Sequence, residues 1–298
     1  MIAVIVPTIR EEKLKEFLNA WEFLFLKHNV TVYVVKDGVK PVVEVIDLNK
    51  KVYGVQVVVR YTVKDIMGKY SNLIYNFNDG VRNLGFAQAY KDGADIFISL
   101  DDDTLPEGDT IQDHLDILNT RQPISWMNTT QSNYMRGVPY KIRTEAEVVL
   151  SHGNWKVVAD FDAPSQLVLG TPEQVPLKMP IPKGVFYPMC IMNCAFKRKL
   201  APYFYQAPAY DRFQRFSDIW AGIESKKVID KMGWSVVTGF ATVRHERASN
   251  VFTNLKKEVV GIEMNEDFYT GNCQLEKEYQ KEYEDRRKEW FNFLKQYE

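Results

Sequence analysis

Cysteine is nearly absent from this chain: Cys190, Cys194 and Cys273 are the only three in 298 residues. That excludes a disulfide framework and makes a reducing, cytoplasmic setting the expectation. Net charge is also missing, with 38 Lys+Arg against 39 Asp+Glu. The balance removes any general attraction to nucleic acid or anionic membrane and leaves only local patches. No run approaches the ~20 apolar residues that span a bilayer. The opening Met1-Ile-Ala-Val-Ile-Val-Pro-Thr8 lacks the basic residues and cleavage site of a secretory leader. Neither G-x-G-x-x-G nor G-x-x-x-x-G-K-[ST] occurs, which disfavours nicotinamide and P-loop chemistry. There is no repeat or low-complexity tract. What is present, 45% hydrophobic and 13% aromatic residues, suits a soluble globular protein with a substantial core.

Patterning in the first ~105 residues alternates between strand and helix. Ile2–Val6 is a short apolar run typical of a strand covered on both faces. Residues 11–28 carry Leu14, Phe17, Leu18, Trp21 and Phe25 at helical spacing, and Val30–Val35 reads as a second strand. Extended patches follow at Val42–Ile46 and Val55–Val59, then a helix over 71–91 and a strand at Ile96–Leu100. The alternation predicts an α/β fold with a mixed, mainly parallel sheet flanked by helices. Ligands in such sheets gather beyond the carboxyl ends of the strands. Pro7-Thr8, Asp37-Gly38 and Asp101–Asp103 all fall at those ends. Residues 106–260, punctuated by proline, read as a partly antiparallel region that completes the sheet and covers the cleft. From about residue 274 a charged amphipathic helix carries Tyr279, Tyr283, Trp290, Phe291 and Leu294. It packs on its own domain or forms an oligomer contact.

Three consecutive carboxylates, Asp101, Asp102 and Asp103, follow the strand Ile96–Leu100. In an extended chain Asp101 and Asp103 would share one face and Asp102 the other. Mutual repulsion makes the cluster a poor stabilising feature. A solvated turn with Asp103 capping a helix is one reading. The favoured one is a Mg²⁺ or Mn²⁺ site, because hard oxygen ligands suit those ions and leave positions open for phosphate. A cation holding a diphosphate would stabilise a departing nucleoside diphosphate, so a nucleotide sugar fits best.

Several strings then resemble the reversibly glycosylated polypeptide / UDP-arabinopyranose mutase family. They include Val4-Ile-Val-Pro-Thr-Ile-Arg10, Ser151-His-Gly-Asn-Trp155, Asp160-Phe-Asp-Ala-Pro-Ser-Gln-Leu167 and Ile181-Pro-Lys-Gly184. Tyr187-Pro-Met-Cys190, Ser217-Asp-Ile-Trp-Ala-Gly222 and the stretch His245–Glu258 continue the likeness. The resemblance implies a GT-A-type (nucleotide-diphospho-sugar transferase) fold. It also implies a UDP-sugar substrate, UDP-arabinose first, and pyranose/furanose interconversion. Residues 1–262 would form the nucleotide-sugar domain, with 1–105 as the nucleotide half and 106–262 as the sugar and acceptor half. Residues 263–298 would be the helical tail. By the same resemblance Asp101–Asp103 is the acidic metal motif, Thr8 and Asp37 lie near the uridine, and Arg82 faces the nucleotide. Arg136 matches the second of two family arginines, while the first, associated with glycosylation, has no counterpart in the shortened segment Asn128–Gly137. Transfer of the sugar to an external acceptor (glycan, protein or modified nucleic acid) is therefore an alternative reaction. A non-catalytic sugar-nucleotide-binding subunit is another.

The remaining candidates each carry two readings. Asp218 is a helix N-cap or, at a family acidic position, holds sugar hydroxyls beside the anomeric carbon. His245 is structural or the third metal ligand with Asp101 and Asp103, and His152 competes with it. Arg244, Arg247, Lys256 and Lys257, and separately Lys183, are a solvated surface or a diphosphate clamp. Trp155 and Trp220 stack on sugar or pack in the core. Cys190 and Cys194, lacking a second Cys/His pair, read as buried thiols rather than a zinc site.

Overall fold

The first strand follows from the densest apolar run. β1 (Ile2–Thr8) has Ala3, Val4, Ile5 and Val6 buried. Ala3 and Ile5 join one apolar cluster, Val4 and Val6 the other, as period-2 geometry demands of a strand covered on both faces. The computed structural model describes residues 1–52, 55–125, 134–158, 160–170, 175, 177–207, 215–246, 250–270 and 274–298. α1 (Glu11–Lys27) buries Leu14, Phe17, Trp21, Leu24 and Phe25 along one stripe. Its Phe17, Trp21 and Phe25 rings form a ladder with centroids 5.8 and 5.6 Å apart. The Trp21 indole N–H donates to the Thr104 carbonyl at 2.8 Å, tying the helix to the segment after the acidic triplet.

β2 (Val30–Lys36) pairs in parallel with β1. The expected alternation then breaks. β3 (Val42–Val52) and β4 (Val55–Thr62) continue as an antiparallel meander at the sheet edge. Their connections are far shorter than the dozen or so residues a parallel crossover needs. α2 (Val63–Met67) starts at a capping box between Thr62 and Asp65. The helix expected over 71–91 is confined to α3 (Arg82–Lys91). Upstream, the Asp37 carboxylate takes the Phe77 N–H and Phe77 adopts φ 59°, which stops a continuous helix. α3 is buried from Arg82 to Tyr90. Gly85 permits that: a Cβ there would stand 2.7 Å from Ile5 and 2.8 Å from Val35.

The second half adds β5 (Ile96–Leu100), β6 (Thr104–Pro106), α4 (Thr110–Leu118), β7 (Arg121–Pro123) and β8 (Glu145–Val157). α5 (Ala163–Leu169), β9 (Met179–Ile181), β10 (Asn193–Lys197), α6 (Ser217–Met232) and β11 (Ser235–His245) follow. The chain closes with α7 (Val251–Thr270) and α8 (Gln274–Leu294). The sheet order is β4-β3-β2-β1-β5-β10-β8-β11-β6, with β7 on β8 and β9 on β11. Followed through the ladders, β1, β2, β4, β5, β8 and β11 point one way and β3, β6, β7, β9 and β10 the other. The sheet is thus mixed, with most strands sharing one direction. The carboxyl ends of β1, β2, β5, β8 and β11 therefore meet at one edge, which brings Thr8, Asp37, Asp101–Asp103, Val158 and His245 together.

α1 and α4 cover one face of the sheet; α3, α6 and α8 supply the apolar cluster on the other. In α8 Tyr283, Trp290, Phe293 and Leu294 are buried in that second cluster, and the Trp290 indole donates to the Ala201 carbonyl at 2.9 Å. Of the stripe expected in the tail, Tyr283, Trp290, Phe291 and Leu294 turn onto their own chain, and the Tyr279 side chain lies outside the described residues. Among the described residues no helix is long and apolar enough to cross a membrane.

Candidate functional site

β5 ends at Leu100, and the three aspartates form a turn rather than an extended continuation. The Thr104 N–H and hydroxyl both donate to the Asp101 carbonyl, at 3.1 and 2.7 Å. The turn splays the carboxylates toward three different partners. Asp102 is buried and accepts the Thr8 hydroxyl at 2.5 Å together with the Arg10 guanidinium. Asp101 accepts from Arg82, whose side chain is only 3% exposed and which also donates to the Ser99 hydroxyl at 3.0 Å. Asp103 accepts from Arg10 at 3.2 Å and faces His245, whose Nε2 lies 3.9 Å from its Oδ1. Two arginines thus answer most of the repulsion that the sequence assigned to a cation. Asp103 is not a helix cap; Asp109 caps α4.

Asp103 Oδ1 is buried with no hydrogen-bond partner among the described residues. Burial, then Asp101, pushes the Asp103 carboxyl above its ordinary range. The His245 Nδ1 sits 3.0 Å from the Val158 carbonyl, a contact that places the proton on Nδ1 and leaves the Nε2 lone pair toward Asp103. An orphaned carboxylate oxygen and an imidazole lone pair held from behind by a backbone carbonyl are a donor pair suited to a divalent cation. Among the described residues no three His, Cys, Asp or Glu side chains converge as a complete cage.

Beside this turn opens a cavity of about 450 Å³. It is lined by Asp79, Arg82 and Asp101 together with Asp160, Phe161, Arg215, Phe216, Asp218 and Glu258. Cys190, Ile191 and Met192 also line it. Asp218 is not the N-cap of α6; that position is Phe216, without a side-chain cap. The Asp218 carboxylate accepts the Ile219 N–H at 2.9 Å and lines the cavity from the first turn. Burial, then Asp79 and Asp160, holds it well above the usual carboxylate range. Asp79 is raised mainly by burial, against the opposing pull of Arg82, and accepts the Ser217 hydroxyl at 3.1 Å. Arg215, 41% exposed, is held cationic by Asp160, Asp79 and Asp218, which outweigh its partial desolvation, and it stands 3.7 Å from Glu258. α6 packs closely at Gly222 on Met189, the residue before cavity-lining Cys190; a Cβ there would stand 2.4 Å from the Met189 Cβ.

The other residues singled out from sequence divide sharply. Thr8 and Asp37 adjoin through the Asp37 N–H to the Thr8 carbonyl, 2.9 Å, at the shared strand edge. Asp37 spends its carboxylate on the Gly38 and Phe77 N–H groups, and burial raises it. Arg136, Lys183, Arg244, Lys256 and Lys257 are exposed and none lines the cavity; Arg244 pairs with Glu246 at 3.6 Å. Arg247, Cys273 and the segment 126–133 lie outside the described residues. His152 is occupied by the Thr238 hydroxyl at 3.1 Å and the Cys190 N–H at 3.2 Å, so local hydrogen bonding, not ligation, is its role. Trp220 is buried with its indole on Asn265, and Trp155 packs edge-on to His152. Cys190 and Cys194 are buried thiols off any helix. Sequence reasoning missed Arg10, Asp79, Asp160, Arg215 and Glu258. They lie up to 248 residues apart (258 − 10), so no local spacing marks them. Arg10, Asp160 and Glu258 did stand inside the family-like strings.

A helix-flanked mixed sheet with an acidic turn and a charged cavity at its common strand edge is consistent with a nucleotide-sugar transferase-like fold. The chain belongs to the reversibly glycosylated polypeptide family, whose sequence profile matches residues 1–285. It is 33% identical over 297 residues to probable UDP-arabinopyranose mutase 4 of Arabidopsis thaliana, covering 92% of this chain and 78% of that one. UDP-arabinopyranose mutase 3 of the same plant is 32% identical over 276 residues, 87% and 74% of the two chains. Probable UDP-arabinopyranose mutase 1 of Zea mays is 30% identical over 283 residues, 89% and 75%.

Proposed function

We propose that this protein interconverts the pyranose and furanose forms of UDP-arabinose in a GT-A-type site. The observation that carries the reading is the cavity beside the acidic turn, in which Arg82 and Arg215 face Asp79, Asp160 and Asp218. Asp103 and His245 would hold a divalent cation, manganese or magnesium, which when bound supplies Lewis-acid charge toward a diphosphate. Thr8 and Asp37 flank the nucleoside end. Arg82, fixed by Ser99 and Asp101, presents permanent positive charge at the cavity wall, where negative charge grows as the C1–O bond breaks. Asp218 holds the sugar hydroxyls. The enclosing Phe161, Ile191, Met192 and Phe216 keep water from the exposed anomeric carbon.

Incubating the purified protein with UDP-arabinopyranose and Mn²⁺, then resolving the products by chromatography, tests this. A steady pyranose/furanose mixture is the expected result, and no furanose form under any metal condition would sink it. The exposed position of Arg136, away from the cavity, favours a second reading, transfer to an external acceptor. UDP release that requires an added acceptor would establish that one.

A further inference from the structure

Pyranose-to-furanose exchange leaves the molecular formula unchanged but relocates a proton. O4 of the pentose starts as a hydroxyl and ends bonded to C1; O5 starts bonded to C1 and ends as a hydroxyl. A group within the cavity must therefore take a proton near O4 and return one near O5.

The titratable and charged groups facing the cavity can be sorted by what they are already doing. Asp101 is held by Arg82, and Glu258 accepts the Ala163 N–H at 2.6 Å while facing Arg215. Asp160 takes the Cys190 thiol hydrogen bond and the charge of Arg215. Burial keeps the Cys190 thiol protonated, and arginine does not give up its proton. Asp162 accepts the Ser165 N–H and hydroxyl, both at 2.8 Å, as the cap of α5, and Glu266 is exposed. Asp79 and Asp218 remain. The hydroxyl donated to Asp79 comes from Ser217, the residue preceding Asp218, so Asp79 lies beside the first turn of α6, which carries Asp218, and both carboxyls line the cavity. An independent sign of a ligand lies alongside: the deeply buried Arg82 lines the same cavity with its Nε unpartnered among the described residues.

We propose that Asp79 and Asp218 share a single proton and relay it from O4 to O5 while the ring exchanges, an assignment that rests on the mutase reading above. Departing UDP takes the C1–O electron pair onto its phosphate oxygen. O4 then bonds to C1, and its proton passes to the ionised member of the pair. The C1–O5 bond breaks with its electrons going to O5, which takes the proton from the protonated member. A UDP oxygen re-forms the bond to C1, so no atom or electron is gained and no co-reactant is needed. Burial and carboxylate neighbours, which raise both acids, favour keeping one proton on the pair above the ordinary carboxylate range.

The test is the pH profile of interconversion for wild type, Asp79→Asn, Asp218→Asn and Ser217→Ala, with UDP-arabinopyranose affinity measured by calorimetry on the same preparations. Wild type is expected to give a bell. Each Asn variant should bind within about threefold of wild type yet turn over roughly 10²–10⁴-fold more slowly, with one limb lost. Ser217→Ala removes a donor to ionised Asp79, so its acidic limb should move to higher pH. Asn variants that keep the bell and a rate within about threefold of wild type would overturn the pair. So would a Ser217→Ala profile superimposed on wild type, which decides the matter if an Asn variant does not fold. Wild type that binds UDP-arabinopyranose without ever forming furanose overturns the mutase reading itself, and does so before any variant is compared.

Discussion

Replacing Arg82 by methionine keeps most of the buried hydrocarbon and removes the charge. The guanidinium bonds Ser99, Leu100 and Asp101 and is the leading counter-charge for buried Asp79. Breaking such a buried pair by deleting one partner costs about 3–5 kcal/mol, a large part of a typical total of about 5–15 kcal/mol. The loss should depend on pH, and its sign follows from Asp79. Its folded-state value already lies above the ordinary 3.8, so the native protein binds the proton more tightly than the unfolded chain does. Stability therefore declines as pH rises from the ordinary value through the folded one. Losing Arg82 lifts that folded value further and extends the decline upward. The penalty of Arg82→Met should thus grow as pH rises above the ordinary carboxylate range, by at most about 1.4 kcal/mol per pH unit. Urea unfolding followed by circular dichroism at pH 5, 6.5 and 8 reads this as a widening gap in midpoint at constant slope. A gap independent of pH would mean that packing, not charge, is what Arg82 contributes, and would refute the reasoning.

Three further outcomes are expected. Trp290→Ala, which empties a fully buried site and orphans the Ala201 carbonyl, should cost about 3–5 kcal/mol by urea unfolding; a loss under about 1 kcal/mol would mean that α8 is not part of the core. His114 is buried between Ser151 and Asn193, and burial pushes it down to about 4 from 6.5. The unfolded chain therefore binds the extra proton first, and stability should fall by roughly 3 kcal/mol as pH drops from 6.5 to 4. His114→Gln should flatten that fall, and an unchanged slope would exonerate His114. Finally, His245→Ala should weaken Mn²⁺ binding at least about tenfold by calorimetry without any sugar; undiminished affinity would remove His245 as a ligand.

The parts of the fold legible in the sequence were those whose cause is local. Ile2–Val6 and Ile96–Leu100 are buried on both faces, and the helix of Leu14, Phe17, Trp21 and Phe25 stands where its spacing put it. The antiparallel β2–β3–β4 edge was less visible, because strand direction depends on connection length and not on the apolar pattern of the strands. The interruption before α3 was invisible: it comes from Asp37, forty residues upstream of the Phe77 N–H that it binds. The acidic turn was found as a motif but its partners were not. Arg10 reaches it from the turn between β1 and α1 and Arg82 from α3, and the parallel β1–β5 pairing sets the end of β1 beside the turn. Conversely, Lys183, Arg244 and Lys256 attracted attention as charges, yet a charge in sequence carries no information about which way its side chain faces.

One contact bears directly on this site. Because position 222 has no side chain, α6 lies directly against Met189, the residue that leads into cavity-lining Cys190. Even a single methyl group there would act as a wedge between α6, which carries Asp218, and that segment. The seating of the helix beside the cavity is therefore kept by an atom that is not there.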